Sequence, residues 1–154
     1  SPSPPPPLYS LSPSLSLLLL YETTAMHTGM TALIYASGEG HHEIARLLLQ
    51  HGAKTDANLF LRGSALEGYT ALHFASLQGR TASVKLLLEH KANALAKEAK
   101  GMTPLAVARS ILIDGASHKG LKPADRERGK KNFKAIKKML LEAMVERQQQ
   151  SQEL

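Results

Sequence analysis

Cysteine is absent from this chain, and so is tryptophan. Without a thiol there is no disulfide framework, no thiolate metal site and no cysteine nucleophile, and the composition suits a reducing compartment. Aromatic residues make up only 5% of the sequence, too few for the stacking platforms that hold single-stranded nucleic acid. No stretch reaches the roughly 18 consecutive apolar residues of a membrane-spanning helix. A Gly-x-Ser-x-Gly elbow and a glycine-rich phosphate loop are both missing. Gly38-Glu39-Gly40 has one residue between its glycines and reads as a turn. Seven histidines raise a metal site, above all His41, His42 and His51, but no two stand four residues apart beside a third ligand. The expectation is therefore no catalytic residue, no metal and no cofactor.

What the chain does contain is self-similarity. Residues 29–53 read GMTALIYASGEGHHEIARLLLQHGA, residues 68–92 read GYTALHFASLQGRTASVKLLLEHKA, and Gly101 opens a third copy with GMTPLAVARS. The frame Gly-x-Thr-(Ala/Pro)-Leu recurs at Thr31, Thr70 and Thr103, in steps of 39 and 33 residues. A period of this length marks a stack of supersecondary units, none of which buries its apolar face alone. The three threonines stand where a hydroxyl caps the amides of a starting helix, and Pro104 takes the first helical position, where no donor is lost. Leu33 and Ala36, Leu72 and Ala75, and Leu105 and Ala108 give each short helix one narrow apolar stripe. Gly38 and Gly40, or Gly79, then turn the chain into a second helix, with Ile44, Leu47 and Leu48 in the first copy and Val84, Leu87 and Leu88 in the next. Gly52 closes the first copy in a left-handed cap.

Thr70-Ala71-Leu72-His73, Thr103-Pro104-Leu105, Gly40-His41 with Glu43, and Leu47-Leu48-Leu49 with Gly52-Ala53 resemble the motif of the ankyrin repeat. The resemblance covers about residues 26 to 112 and a helix near 132 to 145, and many positions agree at one period. It implies an all-α solenoid of helix-turn-helix repeats with short hairpin loops. It also implies that His41 is a turn histidine and that the His73 imidazole bonds backbone between repeats.

Departures from the family pattern set further expectations. Lys91 stands where the closing glycine belongs, which argues against a left-handed cap there. Ala82 and Ser83 fill their helix poorly. The longer first step places six extra residues in the hairpin loop, within Asn58 to Ala65. In the third copy Thr103 to Met139 spans 36 residues, against 16 from Thr31 to Leu47, so some 20 residues separate its two helices. The second of these resumes at Ala135 to Ala143 and extends from Lys131 to about Gln149. Its Phe133, Ile136, Leu140, Ala143 and Met144 form the stripe that docks on the second copy.

The 154 residues thus divide into a Pro/Ser/Leu-rich disordered tail (1–16), a capping helix or partial repeat (17–28), three repeats (29–67, 68–100 and 101–145) and a polar tail (146–154). Leu17 to Leu20 fit a signal-peptide core less well than a helix on the first repeat, because no basic segment precedes them. Ser1 in place of methionine reads as a fragment, a processed form or an incomplete gene model. The basic insertion covers about 114–130. Its residues 114–123, with two glycines and a proline, read as a mobile loop, while 124–130 are open to extending the following helix from Asp125 or Pro123, an extension that Gly129 weakens.

Charge is uneven. Residues 114–138 hold nine Lys/Arg and three acids, a net +6 that equals the formal charge of the whole chain. Lys119, Lys122, Arg126, Arg128, Lys130, Lys131, Lys134 and Lys138 form a candidate basic patch for phosphates, an acidic partner or a receptor of localisation signals; the plain reading is a solvated face. The resemblance implies that the main function is binding of another protein on a concave face, in the cytoplasm or nucleus. The residue between Gly and Thr points into that face, here Met30, Tyr69 and Met102, with His27, Thr28, Glu39, Leu66, Glu67, Leu77, Gln78 and Lys100 beside it. The same side chains could instead pack on one another along the stack. A nucleic-acid-associated regulator working through residues 119–138 is the alternative function.

Overall fold

The computed structural model describes residues 30–59, 62–114 and 123–153. Their helices are α1 (Ala32–Glu39), α2 (His42–Gln50), α3 (Ala71–Leu77), α4 (Thr81–Glu89), α5 (Pro104–Asp114) and α6 (Pro123–Gln152). Each odd-numbered helix starts on a threonine cap. The hydroxyl of Thr31 accepts from the Ile34 N–H at 3.2 Å, that of Thr70 from His73 at 3.4 Å, and that of Thr103 from Ala106 at 3.3 Å. One such cap stabilises a helix by about 1 kcal/mol. Gly40, at φ 82°, supplies the left-handed residue that ends α1 and lets α2 double back.

The hairpin pairs α1–α2, α3–α4 and α5–α6 stack side by side. Contacts run from α1 to α3 to α5 in one layer and from α2 to α4 to α6 in the other. Between the layers lies one apolar cluster that includes Leu33, Leu72, Ala75, Val84, Leu87, Ile136 and Leu140, all essentially buried. Alanines on the first-layer stripe keep helix axes close, and Gly38 takes this furthest: a Cβ there would lie 2.5 Å from Cδ1 of Phe74. Phe133, Met139, Ala143 and Met144 pack against the same cluster, while Lys131, Lys134 and Lys138 face water. The all-α solenoid expected from the repeats is the observed architecture. Outside its helices the described residues hold an isolated antiparallel bridge, Asn58 to Thr70, and no sheet.

Five details depart from the sequence-based expectations. Lys91 does take the left-handed conformation, at φ 63°. The first hairpin loop carries a core residue: Leu59 is buried, its N–H donates to the Tyr69 carbonyl at 2.9 Å, and its carbonyl accepts from Gly68 at 2.8 Å. Helix α6 begins at Pro123 rather than Lys131, so the extension over 124–130 forms in spite of Gly129; proline suits a first turn, where its missing N–H costs nothing. The same helix continues to Gln152, making residues 146–152 exposed helical turns instead of a tail. Leu47, assigned to the apolar stripe of α2, is 50% exposed. Residues 1–29, with the Pro/Ser/Leu tail and the leucine run, and residues 115–122 of the insertion lie outside the described residues.

Candidate binding surface

The hairpins between repeats are braced by backbone and by carboxylates; in the first, Glu67 Oε2 accepts the Gly63 N–H at 2.8 Å. Glu98 is buried, and its Oε2 and Oε1 accept the N–H groups of Lys100 and Met102, each at 3.0 Å. Two bonds to charged acceptor atoms hold the 98–102 turn rigid. That turn leans on the preceding hairpin: the Ala99 N–H donates to the Glu67 carbonyl at 3.0 Å. A Cβ on Gly68, at φ 83°, would come 2.8 Å from the Ala99 nitrogen, so the position needs glycine twice over.

His73 ties the second repeat to the third. Its Nε2 lies 3.0 Å from the Met102 carbonyl oxygen, and its Nδ1 lies 3.2 Å from the Thr70 backbone nitrogen. A carbonyl only accepts and an amide N–H only donates, which fixes the neutral tautomer with hydrogen on Nε2. Burial pushes the His73 pKa below its ordinary 6.5, against smaller upward pulls from the Met102 carbonyl and from Glu98. Tyr69 sits beside this histidine with ring centroids 5.4 Å apart, and it meets Phe74 edge-on at 6.0 Å. Burial, and then the charge of Glu98, push its phenol pKa up.

The same contacts set the surroundings of Met30, Tyr69 and Met102. Tyr69 is only 5% exposed and joins Leu59 and Val107 in a second apolar cluster, with Met30, Leu66, Phe74, Leu77 and Met102 packed around it. Tyr69 is thus buried within the stack, where the sequence expectation had it face a partner, and the hairpin side chains rest on it. Met30, Leu66, Glu67, Leu77 and Met102 are half-buried, while Glu39, Gln78 and Lys100 are exposed. His27 and Thr28 lie outside the described residues, as do Lys119 and Lys122 of the basic patch; Arg126 and Arg128 fall on α6, and Lys130, Lys131, Lys134 and Lys138 are exposed on it. Glu98 and Leu59 were missed. Val107 had a signal, an apolar side chain at the position of Tyr35 and Phe74 in the earlier copies.

The family description "Ankyrin repeats (3 copies)" matches residues 11–98, more than half of the chain. This chain belongs to the ankyrin repeat family. The match reaches further upstream than the resemblance beginning near residue 26, taking in the Leu17–Leu20 run, and it stops before Gly101. No curated protein matches the chain. Ankyrin repeats serve as scaffolds for protein–protein interaction. Among the described residues no group of three or more His, Asp or Glu side chains is placed to hold a metal ion, and no helix is long and apolar enough to cross a membrane.

Proposed function

We propose that this ankyrin stack binds a partner protein on the side where its hairpins and first-layer helices meet, in the cytoplasm or nucleus. The observation that carries the reading is the second apolar cluster. It brings Met30, Leu77 and Met102 from three successive repeats, half-buried, to one side, with Glu39, Gln78 and Lys100 exposed on the same hairpins and helix ends. An apolar row with a polar surround is the usual make-up of a recognition patch. The row rests on Tyr69 and on the Glu98 and His73 hydrogen bonds, so little side-chain freedom remains to be lost on association.

Because Tyr69 is structural, the test uses exposed positions. Affinity capture from a cell extract compares the wild-type chain with the triple variant Glu39→Lys/Gln78→Glu/Lys100→Glu. The expected outcome is loss of captured proteins at an unchanged melting temperature. Capture of the same set by both chains would refute this assignment of the surface.

A further inference from the structure

The last repeat breaks a pattern that the first two keep, and the break lies on one face. Ser37 and Ser76 occupy matching positions in α1 and α3 and are buried; the matching residue in α5 is Arg109, exposed. Ala45 and Val84 match in α2 and α4 and are fully buried; the matching residue in α6 is Lys137, also exposed. Leu49 is buried and Leu88 half-buried, whereas their counterpart Leu141 is 41% exposed. All three positions become exposed in the repeat that has no following pair of helices among the described residues. They mark the end face of the described stack.

This face is neither fully apolar nor simply polar. One groove of about 630 Å³ runs between α5 and α6 over Leu105, Ala106 and Phe133, with Arg109 and Lys137 on its walls. A second groove shares Lys137 and continues along α6 past Lys134 and Lys138 to Leu141. Among the residues whose side chains are described, no acidic one lines either groove. Another ankyrin repeat with the apolar inner face of the first two would bury Arg109 and Lys137 without counter-charges, leaving the desolvation of each ion uncompensated. Nucleic acid would satisfy the cations but leave Leu105, Phe133 and Leu141 uncovered. A bilayer surface is too broad to enter a groove between two helices.

We propose that the end face formed by α5 and α6 is a docking surface for an acidic amphipathic helix of another protein. Its apolar stripe would lie along Leu105, Phe133 and Leu141, and its carboxylates would meet Arg109, Lys137 and Lys134. Such a helix repeats the geometry by which each pair of helices in the stack covers the one before it, and it supplies the charge that the last repeat lacks. The surface is separate from the hairpin side and stands without it.

A synthetic helical peptide with leucine at i, i+3, i+4 and i+7 and glutamate at the flanking positions is a direct probe, read by fluorescence anisotropy on the full chain. A scrambled peptide of the same composition, duplex RNA and phosphatidylserine vesicles are the other arms. The patterned peptide is expected to bind at least about tenfold more tightly than the scrambled one, the worth of roughly one buried leucine. Arg109→Glu/Lys137→Glu should weaken it about tenfold or more, and Leu141→Ser about fivefold, while Glu39→Lys/Gln78→Glu/Lys100→Glu changes nothing. Should charge reversal lower the melting temperature, Arg109→Gln/Lys137→Gln replaces it. Equal binding of patterned and scrambled peptides, tighter binding of RNA or vesicles, or indifference to both substitutions at a normal melting temperature would overturn the proposal.

Discussion

Two identical tripeptides in this chain have different fates. Leu47-Leu48-Leu49 and Leu86-Leu87-Leu88 stand at the same positions of successive repeats. Yet Leu47 is 50% exposed and Leu86 only 7%, while Leu49 is buried and Leu88 half-buried. The difference is not in the helices but in their neighbours. Leu86 lies in the middle helix of its layer, between α2 and α6, whereas α2 has no described helix before it. In a repeat stack the same side chain is core or surface according to its place in the row, because each repeat contacts only the repeats beside it.

Truncating the paired leucines tests this contrast most strongly. Leu86→Ala should cost about 3 kcal/mol, the usual range for a buried leucine, and Leu47→Ala less than about 1 kcal/mol. Chemical denaturation of the two variants checks it. Equal losses would mean that residues outside the described ones cover Leu47.

The contrast also shows what could be read in advance. Helix starts were legible at Thr31, Thr70 and Thr103, because a cap is settled within four residues of chain. The position of α6 and its buried Ile136 and Leu140 were legible from spacing that matches the earlier copies. Leu47 was not, since its exposure depends on what stands before α2. Tyr69 was not, because the Gly-x-Thr position is outward only if no loop covers it. Here Leu59 of the long first hairpin does so, bonded to the Tyr69 carbonyl. Glu98 gave no signal at all: a lone acid in a loop looks solvated until two amides are found pointing at it.

A second test exploits one position filled three ways: Ile34, His73 and Ala106. Only the middle repeat can titrate there. Protonating Nδ1 of His73 would set it against the Thr70 N–H, donor facing donor, and would place charge in a buried site. The folded-state pKa lies below the ordinary 6.5, so between the two values the unfolded chain binds more protons. The resulting stability is complete above pH 6.5 and is lost as pH falls toward the folded-state value. Melting temperatures measured from pH 7.5 to pH 5 should fall with acid for the wild type and fall less for His73→Asn. Parallel slopes for the two chains would place the acid sensitivity elsewhere.

The smallest expected effect comes from the ends of the two leucine helices, where the repeats differ in one residue and agree in hydrogen bonding. The Gly52 N–H donates to the Leu49 carbonyl and the Ala53 N–H to that of Leu48, at 3.1 and 3.0 Å. The Lys91 N–H donates to Leu88 and the Ala92 N–H to Leu87, both at 3.0 Å. The same pair of bonds therefore closes both helices, and both require a left-handed residue, Gly52 at φ 86° and Lys91 at φ 63°. An L side chain in that conformation costs about 1 to 2 kcal/mol through the contact of Cβ with the following carbonyl. Lys91 is held there because Ala92 is buried directly after it. The lysine side chain itself is exposed and brings no compensating burial. Lys91→Gly should consequently raise stability by about 0.5 to 1 kcal/mol, part of the strain being offset by the greater freedom of glycine in the unfolded chain. Gly52→Ala, with open space around its Cβ, should lower stability by a similar amount. Opposite signs from substitutions at one repeat position would locate the strain in the backbone. If Lys91→Gly destabilised the chain, the lysine would have to stabilise the cap through its side chain, and the equivalence of the two helix ends would be lost.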